Sequence, residues 1–425
     1  MSVDKKVPEI RFKGFSGAWD NQPFRQCFNN IPSNTLSRAD LNYQTGLAQN
    51  IHYGDVLIKF GEVLDIGTGS LPFITCDETA NKLKHAALKN GDIIIADAAE
   101  DNTVGKCTEL SNVDDRVVLS GLHTIAVRPT LPFASKFLGY YLNSSSYHDQ
   151  LLSLMQGTKV LSISKTVIQN TNVTFPSSEP EQTQIGNTFQ KLDSLINQHQ
   201  QKHDKLSSIK KAMLEKMFPK QGETTPEIRF KGFSGEWEEI QFKEIAEIRR
   251  GLTYKPSDIV ENGVVVLRSS NINIDKFGLR KDDVQVDESA VNINSIKNGN
   301  ILITSANGSS QLVGKHAVVK GLTIDAVHGG FMLVAETNAP YFLNASMNTC
   351  WYNQFLSMNV AGGNGAIGNI KGSALEEECL YIPKKEEQEK IGSYFQKLDT
   401  LINQHQQQIT KLNNIKQACL SKMFV

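Results

Sequence analysis

Residues 181–218 read EQTQIGNTFQKLDSLINQHQQKHDKLSSIKKAMLEKMF, and residues 387–424 read EQEKIGSYFQKLDTLINQHQQQITKLNNIKQACLSKMF. The two stretches lie at a constant offset of 206, and 25 of their 38 positions are identical. In the first copy the apolar positions are Ile185, Phe189, Leu192, Ile196, Leu206, Met213 and Met217, with His199 and His203 in the two middle places. The second copy repeats the series with Ile391, Phe395, Leu398, Ile402, His405, Ile409, Leu412 and Cys419. Steps of four and three are the seam of a helix made to pack on another helix. Beyond Gly186 and Gly392 near their starts neither copy contains Gly or Pro, so each predicts an uninterrupted helix roughly 55 Å long at 1.5 Å per residue.

A second repeated stretch lies upstream of each helix. PEIRFKGFSGAW (Pro8 to Trp19) recurs as PEIRFKGFSGEW (Pro226 to Trp237), with ten consecutive identical residues at an offset of 218. The chain is therefore a tandem duplication of a marker, a variable globular stretch and a helix. The variable stretches agree in outline only. KNGDIIIA from Lys89 matches KNGNILIT from Lys297, each reading as a strand after a turn, and each is followed by a polar loop ending in Val-Gly-Lys. HTIAVRP and GFMLVAE read as strands, KFLGYYLNSSSYHDQLLSLM and NASMNTCWYNQFLSMN as one helix each, and a last strand closes on Pro176 or Pro383. Trp19, Trp237, Phe12 and Phe230 read as core residues that fasten each marker to a helix end.

The first helix leads straight into the second marker, and the second helix carries the same seam. If the duplication obeys a pseudo-two-fold axis, the helices pack antiparallel. The expected fold is α+β, two globular domains separated by two long antiparallel helices that form a coiled-coil-like spacer. The expected boundaries are 1–180, 181–218, 219–386 and 387–425.

The 425 residues are 40% hydrophobic and 21% charged, ordinary for folded protein. The start lacks an apolar h-region and no window reaches a membrane span, which predicts a soluble, cytoplasmic chain. Six scattered cysteines lack zinc or dithiol spacing and read as reduced and structural. The net charge of -1 does not favour nucleic acid, although a local basic face can supply the field.

Catalytic motifs are missing. There is no Asn-Pro-Pro-Tyr-like motif for an amino methyltransferase, and Gly105-Lys106 and Gly314-Lys315 lack the upstream glycine and following hydroxyl of a phosphate loop. The GxGxxG at Gly363 to Gly368 follows a helical stretch rather than a strand. His199 and His203 have the i, i+4 spacing of a metal site, but the second copy places His405 and Ile409 there, so the position reads as seam.

The marker RFKGFSGxW, the duplicated EQxxIxxxFQKLDxLI helix and the two divergent domains resemble the specificity subunit of type I restriction-modification enzymes over the full length. The resemblance implies two target-recognition domains (1–180 and 219–386), each reading one half of an asymmetric bipartite double-stranded DNA site, and two spacer helices that dock two methyltransferase subunits. Restriction subunits would join the full complex. S-adenosylmethionine, ATP and Mg would belong to those partners, with no cofactor, metal or catalytic residue in this chain. The other classes open to the sequence are a DNA-independent interaction scaffold and an enzyme with an unrecognised nuclease or methyltransferase site.

Base reading uses Arg or Lys on guanine and Asn, Gln, Ser or Thr elsewhere, with cations on phosphates. In the second domain these types gather as Arg249, Arg250, Thr253, Tyr254 and Lys255, then Arg268, Ser269, Ser270 and Asn271. Glycine-rich loops add Asn307, Ser309, Gln311 and Lys315, then Asn364, Asn369 and Lys371. The first domain offers Asn30, Asn34, Arg38, Lys59, Lys106, Gln156, Thr158, Lys159, Ser162 and Lys165.

Overall fold

In the computed structural model, residues 7–273, 276–360 and 368–425 are described. The chain forms two compact units, one of Met1–Gln200 with Gln407–Val425 and the other of Gln201–Gln406. Two uninterrupted 38-residue helices, Glu179–Lys216 and Lys385–Lys422, follow the two globular stretches. Each helix contributes its start to one unit and its end to the other. Mixed strands and helices make up the rest, the α+β class expected.

The seam explains the packing inside each unit. In the first, Ile185 and Phe189 at the start of the first long helix share a core with Leu420, Met423 and Phe424 at the end of the second. In the second, Ile391, Phe395 and Leu398 share a core with Met217 and Phe218, and Leu206, Ile209 and Met213 pack against it. Start meets end both times, which is antiparallel pairing. Ile402 and Ile409 are buried as well, whereas Leu192, Ile196 and Leu412 are half-buried. Lys416 pairs with Asp193 at 2.6 Å and Lys210 with Asp399 at 2.7 Å, the same ion pair in both repeats.

The markers hold these helix ends. Arg11 makes a forked pair with Glu181 (2.7 and 2.8 Å), and Arg229 makes one with Glu387 (2.9 and 2.6 Å). The Ile10 N–H donates to the Lys422 carbonyl and the Ile228 N–H to the Lys216 carbonyl, satisfying one of the open acceptors at each helix end. Trp19 stands edge-on to Phe424 and Trp237 edge-on to Phe218. Gly186 and Gly392 lie where a Cβ would meet backbone at 3.1 and 2.8 Å, so the helices approach the domains closely.

Each domain is built on a sheet whose central strands are the repeated β-like runs. Ile93–Ala96 lies between Thr124–Pro129 and Cys107–Ser111, with Phe28–Ile31 and Val63–Asp65 outside them. Ile301–Thr304 lies between Met332–Glu336 and His316–Val318, with Glu247–Arg250 at one edge. The last strands, Asn172–Phe175 and Cys379–Ile382, pair antiparallel with Asp20–Pro23 and Glu238–Gln241 next to the markers. Each stretch expected as one helix is two, Phe137–Leu142 with Ser145–Leu152 and Pro340–Ser346 with Cys350–Asn359. The break has one cause in both domains. Ser144 and Thr349 are extended, and their hydroxyls turn back to the Tyr141 and Ser346 carbonyls (2.6 and 2.7 Å), the local competition that excludes such residues from helix interiors.

Candidate DNA-reading loops

Strand register aligns the two domains where sequence does not. Gln49–Ile51 runs parallel to Val118–Ser120, and Val265 to Leu267 runs parallel to Ala326–His328. This places Ile51 with Leu267, Asp55 with Asn271, and Ser120 with His328. The same hydrogen bonds recur around them. Asn34 N–H donates to Ser120 carbonyl and Leu252 N–H to His328 carbonyl; Ser37 N–H donates to Asp40 and Lys255 N–H to Asp258. Ile163 N–H donates to Asp97 carbonyl and Ile370 N–H to Ser305 carbonyl.

Loops of both domains therefore converge in the same way. In the second domain Leu252, Tyr254, Arg268, Asn307, Gly330 and Phe331 are among the residues lining an open cavity of about 570 Å³. Asn307 donates to Ser269 Oγ at 3.1 Å, and Gly368–Asn369 pairs with Ala306–Asn307. The close approach of the 251–253 loop to the 328–330 turn requires Gly251, because a Cβ there would fall 2.0 Å from the Gly329 carbonyl oxygen. In the first domain Arg38 reaches Asp55, the His52, Tyr53 and His123 rings stand in a row, and His123 reaches Asp97. Leu161–Ser162 pairs with Ala98–Ala99, bringing in the 156–165 loop.

The electrostatics differ. Asp55 is fully buried; burial alone would raise its pKa, but hydrogen bonds from Arg38 and Lys59 outweigh that and hold it below the usual carboxylate range. Arg38 at 2.9 Å and Lys59 at 3.0 Å leave the group with one net positive charge at the surface. Burial lowers the His52 pKa and raises that of Asp97.

Several sequence candidates lie on these loops. Thr253, Lys255, Ser270, Ser309, Gln311, Asn369 and Lys371 are exposed, and Tyr254, Arg268, Ser269, Asn307 and Lys315 half-buried. Arg250 is exposed at the end of its strand. In the first domain Arg38, Lys59, Gln156, Thr158, Lys159, Ser162 and Lys165 are exposed. Asn34 donates to Asn50, and Asn30 lies in an edge strand paired with Val127. Asn364, with the glycine stretch around it, lies outside the described residues.

Three candidates are corrected. Asn271 is buried: its carboxamide accepts from Arg268 N–H and donates to the Gly278 carbonyl and Asp283, so it shapes a loop instead of facing a ligand. The Lys106 ammonium is partly buried and donates to the Leu57 carbonyl at 2.7 Å, with burial lowering its pKa. The Arg249 guanidinium, 14% exposed, is held by Asn294, Asn300 and Glu336. His123 and Phe331 also lie at these loops, just before Thr124 and Met332, a placement that depends on strand pairing no local pattern carries.

Among the described residues no group of three His, Cys, Asp or Glu is placed to hold a metal ion. All six cysteines are free. No helix among them is long and apolar enough to cross a membrane.

A family model described as the type I restriction modification DNA specificity domain matches residues 49–208 and 234–414. The chain belongs to that family. It is 28% identical over 130 residues to the type I restriction enzyme MjaVIII specificity subunit of Methanocaldococcus jannaschii, covering 30% of each chain. It is 23% identical over 315 residues to the type I restriction enzyme EcoKI specificity subunit of Escherichia coli strain K12, covering 70% of this chain and 66% of the relative. These matches thus span less than two thirds of either relative. The crystal structure of the type I restriction-modification system S subunit from M. genitalium superposes with a TM-score of 0.58 at 15% identity, covering 99% of both chains, a likeness of fold.

Proposed function

We propose that this chain is the non-catalytic DNA-specificity and scaffold subunit of a cytoplasmic type I restriction-modification complex. Residues 1–180 and 219–386 each read one half of an asymmetric bipartite double-stranded DNA site. The long helices set the gap between the halves and dock two methyltransferase subunits, to which restriction subunits are added. Those partners bring S-adenosylmethionine, ATP and Mg. The observation that supports this reading best is the pair of loop clusters with one hydrogen-bond skeleton and different side chains. Equal scaffolds suit equal partners, and unequal loops suit an asymmetric target. Arg38, Lys59, Lys159 and Lys165 in one domain, and Arg250, Lys255, Arg268 and Lys371 in the other, supply cations for phosphates.

Co-expression with the methyltransferase subunit and genome-wide mapping of methylated adenine tests the proposal. A split, asymmetric sequence is expected, whereas a continuous motif would overturn the two-reader reading and sequence-independent methylation would favour a plain scaffold. Inserting seven residues in each long helix lengthens it by roughly 10 Å, close to three base pairs at about 3.4 Å each. The gap in the methylated sequence should widen, and an unchanged gap would show that the helices are not the ruler.

A further inference from the structure

One position is built alike in both domains and carries opposite chemistry. Thr124 pairs with Ala96 and Met332 with Thr304, so the residues before them, His123 and Phe331, occupy equivalent turns of the two domains. The turn is pinned at both ends. It begins where Gly121 N–H donates to the Ile51 carbonyl (2.8 Å) and Gly329 N–H to the Leu267 carbonyl (2.9 Å). It ends where the His123 carbonyl accepts from Asp97 N–H (3.1 Å) and the Phe331 carbonyl from Ser305 N–H (2.9 Å).

The side chains point away from this fixed backbone. Phe331 is 68% exposed at the rim of the cavity lined by Tyr254, Arg268 and Asn307. An exposed benzyl ring among polar and cationic groups loses its hydration only by meeting a partner. His123 is half-exposed at φ +53°, a strained setting for a residue with a Cβ, with Nδ1 3.2 Å from Asp97 and Nε2 on the far side of the ring. A side chain on a rigid support, next to groups suited to phosphate, is how a base edge is met at one defined place.

We propose that His123 and Phe331 are specificity-determining residues, each fixing one base pair of its half-site in the major groove. Phe331 gives an apolar contact to the C5-methyl of thymine, and His123, with Nδ1–H held by Asp97, offers Nε2 as an acceptor to the amino group of cytosine or adenine. The inference rests on the reading of the chain as a DNA-specificity subunit.

The experiment uses the full chain assembled with its methyltransferase subunit. Once the wild-type methylome gives both half-sites, each thymine of the second half-site is replaced by deoxyuridine, which lacks only the methyl group. Wild type should lose affinity about four-fold at one thymine, the value of one buried methyl, and Phe331→Ala should show no loss there. In the methylome, Phe331→His should change one position of the second half-site, and His123→Phe one position of the first, with the gap unaltered. A wild-type complex insensitive to every deoxyuridine, or variants that keep the parental sequence, overturns the proposal. A wild type with no split sequence overturns the functional reading instead.

Discussion

Asp55 and Asn271 occupy the same buried place in the two domains and are made tolerable in different ways. Asp55 keeps its charge by pairing with Arg38 and Lys59, while Asn271 is neutral and spends its carboxamide on loop backbone and Asp283. The helix ends behave otherwise. Arg11 with Glu181 and Arg229 with Glu387 are the same contact made twice, down to the third guanidinium nitrogen donating to the Gly17 or Gly235 carbonyl. The difference teaches where the duplication is constrained. Where a marker meets a helix, both partners are fixed; where loops meet solvent, only the backbone skeleton is.

That contrast can be broken by mutation. Glu181 and Glu387 are each 1% exposed, so removing the arginine leaves a buried carboxylate without its counter-charge. Arg11→Met and Arg229→Met should each cost about 3–5 kcal/mol, equally in the two repeats, as read by urea unfolding. A difference larger than about 2 kcal/mol between them would show that the repeats are not equivalent at their ends.

The next pair should differ. Lys416 lies between Glu62 and Asp193, and Asp193 also accepts from the Tyr140 hydroxyl. Lys210 has Asp399, itself 41% exposed. Lys416→Met should cost about 2 kcal/mol, as an enclosed cluster left acidic, and Lys210→Met about 0.5 kcal/mol, the range of a surface pair. Equal losses would remove the distinction.

The smallest effects separate the domains by pH. Glu109 is enclosed by Lys136 and Gly139 N–H groups, yet burial dominates and pushes its pKa from 4.5 up to about 7. The folded state then holds more protons between those values, so Glu109 lowers stability as pH rises from 4.5 to 7. His328 is pushed by burial from 6.5 down to about 4, so the unfolded state holds more protons and stability is lost as pH falls from 6.5 toward 4. Glu109→Gln should raise the slope of Tm against pH across that window and His328→Gln should lower it. Slopes that do not move in opposite senses would show that these groups do not set the response.

Much of this architecture is legible without coordinates, and the reason is local. Helix periodicity is written every three or four residues from Ile185 to Met217, so the two long helices and their seam follow from the repeat, and their antiparallel pairing follows only with a pseudo-two-fold axis. Arg268, Asn307 and Arg38 are recognisable by residue type and reach the loop cluster. Asn271 has the same type and does not, because burial depends on what packs above it. The short hydroxyl breaks at Ser144 and Thr349 were also invisible, since either residue can sit in a helix when its side chain has another partner.

The sequence by itself determined the duplication, the class of fold and the seam of the long helices, because identity and periodicity survive in the chain order. Only the tertiary structure decided that His123 and Phe331 stand on equivalent turns of the two domains. Their equivalence rests on register between strands far apart in the chain, and pairing at a distance leaves no local pattern.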